Sequence, residues 1–171
     1  MDFNAWAKEI HKNAVAHGWW ETERPLEELL ALIHSEWSEA LEAYRDDEAL
    51  LWGTVGKPEG IAVELIDGCI RIMDFAAHEG IELTEHCIED NTEYTLPKFV
   101  YGLHYCVSAL GDIISKNGEW FCKEEAAGWL SRAVNEVFNW IAHRGLDPME
   151  IMKKKHAYNK TRPYRHGGKK A

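Results

Sequence analysis

The stretch Glu59 to His78, "EGIAVELIDGCIRIMDFAAH", constrains the fold most. Its spacing is helical, and Ile61, Ala62, Val63, Leu65, Ile66, Cys69, Ile70, Ile72, Met73, Phe75 and Ala76 cover most of the helix circumference. Glu64, Asp67, Arg71, Asp74 and His78 share one narrow strip. An ordinary amphipathic helix would turn such a strip to water, with Asp67 and Arg71 as an i,i+4 ion pair. This helix is too apolar for that reading to be comfortable, and buried carboxylates are costly unless paired or bound to metal.

The rest of the chain also reads as helical. No alternating strand pattern bounded by hairpin turns is evident, so the expected class is all-α. Helices are expected from about Asn4 to His17, Pro25 to Asp46, Glu59 to His78, Pro97 to Lys116 and Glu119 to His143, with a last one opening at "DPMEI". "WGTVGKPEG" reads as a loop, Gly80 as a helix stop, and "IELTEHCIEDNTEY" as holding at most a short helical turn.

"AAHEGIEL" from Ala76 resembles "IAHRGLDP" from Ile141, which suggests that Pro97 to His143 is a worn copy of Pro25 to His78. Two helical hairpins would then form a four-helix core, with the other helices flanking it. In this alignment Trp129 and Arg132 stand where Glu64 and Asp67 stand in the first copy, so one half would hold the site.

A chain of 171 residues suits one domain with a real core. All 29 acids lie before residue 151, whereas the last 21 residues carry eight of the 19 Lys and Arg and no acid. An acidic body argues against broad nucleic-acid or anionic-membrane binding and suits a site for cations, although solubility explains the same charge more simply. Cys69, Cys87, Cys106 and Cys122 form no CxxC pair, which indicates a cytoplasmic protein. The longest charge-free run, Phe99 to Gly111, is too short to span a bilayer, and no export signal is visible.

In the second helix Leu26, Leu29, Ile33, Trp37, Ala40 and Tyr44 form the apolar face. Glu36 falls between Leu29 and Leu32 on the wheel and Glu39 beside Leu32, so both can look inward, while His34 falls outside the apolar arc and reads as a surface residue. A hairpin would set Glu36 and Glu39 opposite Glu64 and Asp67. Such an all-oxygen set favours Mg²⁺ or Mn²⁺, and Mg²⁺ commonly recruits substrate phosphates. No His has a Glu three residues before it, which argues against a di-iron bundle. P-loop, GxSxG and His-Asp signatures are also missing.

E-x-x-E in "SEWSE" followed by E-x-x-D in "ELIDG" resembles the MazG-like family of all-α nucleoside triphosphate pyrophosphohydrolases, which includes dimeric dUTPase relatives. The resemblance covers about Pro25 to Leu83 and the tail. Ser35 departs from the many members with a further Glu, but the four acids match. The resemblance implies Mg²⁺-dependent cleavage of a nucleoside triphosphate between its α and β phosphates, and a homodimer. Glu36 or Glu39 is the candidate general base, and both readings stay open. A dUTPase and a broad dNTP hydrolase are equally compatible. The rival outside the enzyme class is a non-catalytic metal- or nucleotide-binding helical module.

In the tail, Lys155, Asn159 and Arg162 recur at near-helical spacing, "RPY" fixes a turn and "HGG" lets backbone approach a ligand. The bland alternative is a frayed basic end. "NKTRPYRHG" resembles the family's C-terminal N-x-x-R-P-Y-x-H-G segment, which implies a place near the triphosphate for Lys155, Asn159, Arg162, Arg165, His166 and Lys169. Most of the eight tryptophans are expected in the core; Trp52, beside the carboxylate hairpin, is the candidate base contact.

Overall fold

The computed structural model describes residues 2–54, 56–85, 93–117, 122–168 and 170, and the side chains of these except at 54 and 113–117. The elements in chain order are α1 (Phe3–Ala16), α2 (Leu26–Arg45), β1 (Trp52–Thr54), β2 (Lys57–Glu59), α3 (Ile61–Glu79), α4 (Leu96–Asn117), α5 (Lys123–His143) and α6 (Pro148–Thr161). A four-residue turn, Arg165–Gly168, follows.

Local signals account for several helix ends. Pro25 precedes the first residue of α2, and Gly80 closes α3 in the left-handed conformation, with φ 65°. The Asp147 carboxylate accepts hydrogen bonds from the backbone N–H groups of Met149 and Glu150, and Pro148 opens α6. The expected start of α5 at Glu119 lies outside the described residues, among which this helix begins at Lys123.

The fold is all-α, and α3 is its central helix. It packs against α1, α2, α5 and α6, while α4 bridges α2 and α5. The hairpins α2–α3 and α4–α5 thus form a four-helix core, and α1 and α6 cover the remaining sides of α3. Ile33, Trp37, Leu65, Ile66, Ile72 and Met73 are buried on the α2–α3 side, and Phe99, Leu103, Leu130 and Ile141 on the α4–α5 side. Phe99 stacks on Trp140 with ring centroids 5.1 Å apart.

Gly68 controls how closely α2 and α3 approach. A Cβ at this position would lie 2.0 Å from Trp37 Nε1, so only glycine admits the indole. Trp37 is fully buried there, and its Nε1 points at the Leu65 carbonyl oxygen, 3.4 Å away.

Three expectations are corrected. "WGTVGKPEG" is not a plain loop: Trp52–Thr54 pairs antiparallel with Lys57–Glu59. Strands of three residues are too short for alternation to register in the sequence. His34 is half-buried rather than on the surface, because α4 packs on that side of α2 and brings His104 Nδ1 within 2.7 Å of His34 Nδ1. Tyr44, assigned to the apolar face of α2, is 45% exposed at the end of the helix beyond the packed stripe. The short helical turn considered for "IELTEHCIEDNTEY" falls largely outside the described residues.

Candidate functional site

The close α2–α3 contact brings one carboxylate oxygen each from Glu36, Glu64 and Asp67 within 4.8 Å of one another. All three line a cavity of about 470 Å³ enclosed by α1, α2, the hairpin, α3, α6 and the tail. Glu64, Asp67, Arg71 and Asp74 of the α3 strip therefore line this shared cavity, whereas His78 at the end of the strip is exposed. Glu39 lines the same cavity without belonging to the converging trio.

Basic groups answer these acids from both sides. Lys155, buried on α6, places its Nζ 2.6 Å from Asp67 Oδ2, and Arg71 Nε donates to Glu36 Oε1 at 3.0 Å. Asp67 thus pairs across helices and not with Arg71. Asn159 lies further along α6, Arg162 is the extended residue that ends this helix, and both line the cavity. Asn159 Oδ1 is buried and has no hydrogen-bond partner among the described residues.

Crowding and burial perturb the acids. Burial first, and then the neighbouring Asp67 charge, push the Glu64 carboxyl up to about 7. Burial raises Asp67 to about 6 against the opposing pull of the Lys155 ammonium. Lys155 is raised above its ordinary value: burial opposes its charge, but the charge of Asp67 and its hydrogen bond outweigh burial. Three oxygen donors converging in one cavity are a set that fits a hard divalent cation.

The tail closes one end of the cavity. His166 sits edge-on to Trp19 at 5.1 Å, and both line the space. Arg165 and His166 adopt positive φ of 43° and 50°, a conformation costly for non-glycine residues and held here by neighbouring contacts. The Arg165 backbone N–H donates to the His17 carbonyl at 3.0 Å, and Arg165 Nε donates to the Gly18 carbonyl at 3.0 Å. The Tyr164 hydroxyl bonds Glu21, and its ring lies where a Cβ on Gly18 would have to go.

Of the tail residues singled out in the sequence, Lys155, Asn159, Arg162 and His166 meet the acids in one cavity. Arg165 instead anchors the tail, and Lys169 lies outside the described residues. Trp52, 46% exposed, lines an adjoining cavity. Of the other tryptophans, Trp19, Trp37 and Trp140 are buried, and Trp120 lies outside the described residues.

Sequence reasoning overlooked Asp74 and Lys57 as cavity residues. Asp74 sits two turns beyond Asp67 on the recognised strip, a spacing that could have flagged it. His11 Nδ1 lies 2.7 Å from its Oδ1, and Trp20 Nε1 donates to the same carboxylate at 3.0 Å. Lys57 comes from the hairpin, which left no strand signal.

Among the described residues no helix is long and apolar enough to cross a membrane. No protein-family model matches this chain, and no curated protein or solved structure matches it significantly.

Proposed function

We propose that the chain is a divalent-metal-dependent nucleoside triphosphate pyrophosphohydrolase, splitting a (d)NTP and one water into a nucleoside monophosphate and pyrophosphate. One observation carries the reading: Glu36, Glu64 and Asp67 converge in a cavity that Lys155, Asn159, Arg162 and His166 also line. An acidic cluster by itself suits many roles. A carboxylate trio sharing one cavity with basic side chains suits a metal–polyphosphate complex, because the ion needs anionic ligands and the phosphates need cationic ones. The resemblance of "SEWSE", "ELIDG" and "NKTRPYRHG" to MazG-like enzymes supports the same assignment.

Glu36, Glu64 and Asp67 would hold the ion, Mg²⁺ or Mn²⁺. When bound, it supplies charge neutralisation at the phosphate oxygens and Lewis-acid activation of the attack. Lys155, Arg162 and His166 bind and orient the triphosphate, with Asn159 beside them in the cavity lining. Glu39 is the better candidate for the general base, because it lines the cavity yet is not one of the converging donors. The resemblance also supports a homodimer, which sedimentation velocity tests directly. It supports equally a broad dNTP hydrolase and a dUTPase.

The test is a panel of canonical dNTPs and NTPs with Mg²⁺, products separated by chromatography, repeated in EDTA and with Mn²⁺. Monophosphate and pyrophosphate, abolished by EDTA, are expected. Nucleotide binding with no turnover under either metal would replace this reading with the non-catalytic binding module.

A further inference from the structure

A second cavity of about 720 Å³ opens between the β1–β2 hairpin and α6, and it shares Lys57 and Tyr158 with the carboxylate cavity. We propose that this second cavity receives the base of the nucleotide whose phosphates occupy the first, an inference that rests on the function proposed above.

The two spaces differ in chemistry as the two ends of a nucleotide do. The first is lined by carboxylates and cations. The second is walled mainly by Leu51, Trp52, Pro58, Ala157 and Tyr158, and no carboxylate lines it among the described residues. An apolar cavity with aromatic walls and a few polar groups is the usual setting for a planar ring, and its volume falls in the ordinary ligand-site range. Trp52 donates its indole N–H to Glu48 Oε2 at 2.9 Å. That bond is made at the ring edge, so it fixes the side chain while leaving the ring faces for stacking.

Continuity decides the occupant. Lys57 lies on both cavities and pairs with Glu59 at the rim of the first. A ligand bridging the spaces would pass its sugar and first phosphate by this ammonium. Tyr158 lies one residue before Asn159 and three after Lys155, so one helix presents phosphate-facing and base-facing side chains together. An apolar peptide or a second copy of the chain would fit the second cavity but would have no use for its junction with the first.

The experiment measures calorimetric affinities of the full chain, with Mg²⁺, for two probes: α,β-imido nucleoside triphosphates, which resist cleavage, and inorganic tripolyphosphate, which has no base. Trp52→Ala removes the exposed ring, and Ala157→Arg fills the cavity from an exposed position on α6. Both variants are expected to bind the imido nucleotides roughly tenfold or more weaker, with tripolyphosphate affinity changing by no more than about twofold. Equal loss for both probes, or no loss for either, would overturn the base site. A change in sedimentation with unaltered nucleotide affinity would assign the cavity to a second copy and overturn it as well. If wild-type protein binds neither probe, the pyrophosphohydrolase reading fails and the inference with it; tripolyphosphate binding alone, with no gain from a base, overturns only the inference.

Discussion

Lys155 Nζ sits 2.6 Å from Asp67 Oδ2, so an ammonium from α6 already supplies positive charge to one of the three carboxylates on α2 and α3. The pair is nearly buried, with side-chain exposures of 10% and 13%. Removing one partner of such a pair strands the other charge and costs about 3–5 kcal/mol. Lys155→Met is therefore expected to destabilise the chain in EDTA, and Mn²⁺ should restore more stability to the variant than it adds to wild type, because metal then replaces the missing cation. Nucleotide affinity should fall as a phosphate contact is lost. Urea melts with and without Mn²⁺, paired with nucleotide titrations, check this; equal Mn²⁺ stabilisation of both proteins would show that ammonium and metal do not share Asp67.

Glu64 and Asp67 make the metal-free protein sensitive to pH in an unusual direction. Their folded values, about 7 and about 6, lie above the ordinary 4.5 and 3.8, so between those limits the folded chain holds more protons than the unfolded chain. The contribution of these two carboxyls to stability in EDTA should therefore grow as pH falls from about 8 to about 5.5, by on the order of 1–3 kcal/mol, while His34, His104 and His156, which burial holds below the ordinary histidine value, act in the opposite sense in the same window. Glu64→Gln should stabilise the metal-free protein at the upper pH and lose its advantage at the lower. Thermal melts of both proteins across this range test the sign; a Glu64→Gln advantage that fails to shrink on acidification contradicts it.

The α3 strip was legible because five polar side chains interrupt an otherwise apolar helix, and the tail because Lys155, Asn159 and Arg162 recur at near-helical spacing. Both signals are periodic and local. What the periodicity could not carry is which helices meet. Asp67 has Arg71 one turn away, yet its partner is Lys155, 88 positions on, because α6 packs against α3. His34 and His104 meet across 70 positions for the same kind of reason. The hairpin was invisible because each of its strands is three residues long, and with it went Lys57 and the second cavity.

Gly68→Ala tests whether site geometry depends on the closeness of α2 and α3. The added methyl would sit 2.0 Å from Trp37 Nε1 in a fully buried contact. The helix-propensity gain of alanine, up to about 1 kcal/mol, is smaller than the overpacking cost of about 1–3 kcal/mol or more. Net destabilisation is expected, together with weaker Mn²⁺ binding, since separating the helices moves Glu36 away from Glu64 and Asp67. A variant that melts lower but binds Mn²⁺ normally would show that the trio tolerates the displacement.

Glu36 and Glu39 stand one helical turn apart in α2 but differ in where they lie. Glu36 is one of the converging trio and accepts a hydrogen bond from Arg71, whereas Glu39 lines the cavity outside that trio. Replacing a donor should weaken metal binding, and replacing a base should leave it intact while removing proton transfer, an effect of about 10²–10⁴ in rate. Glu36→Gln is therefore expected to lower Mn²⁺ affinity measured by electron paramagnetic resonance, and Glu39→Gln to keep that affinity while turnover collapses. The reverse pattern would exchange the two roles. Loss of Mn²⁺ binding in both would make Glu39 a fourth donor and require the base to come from elsewhere in the cavity.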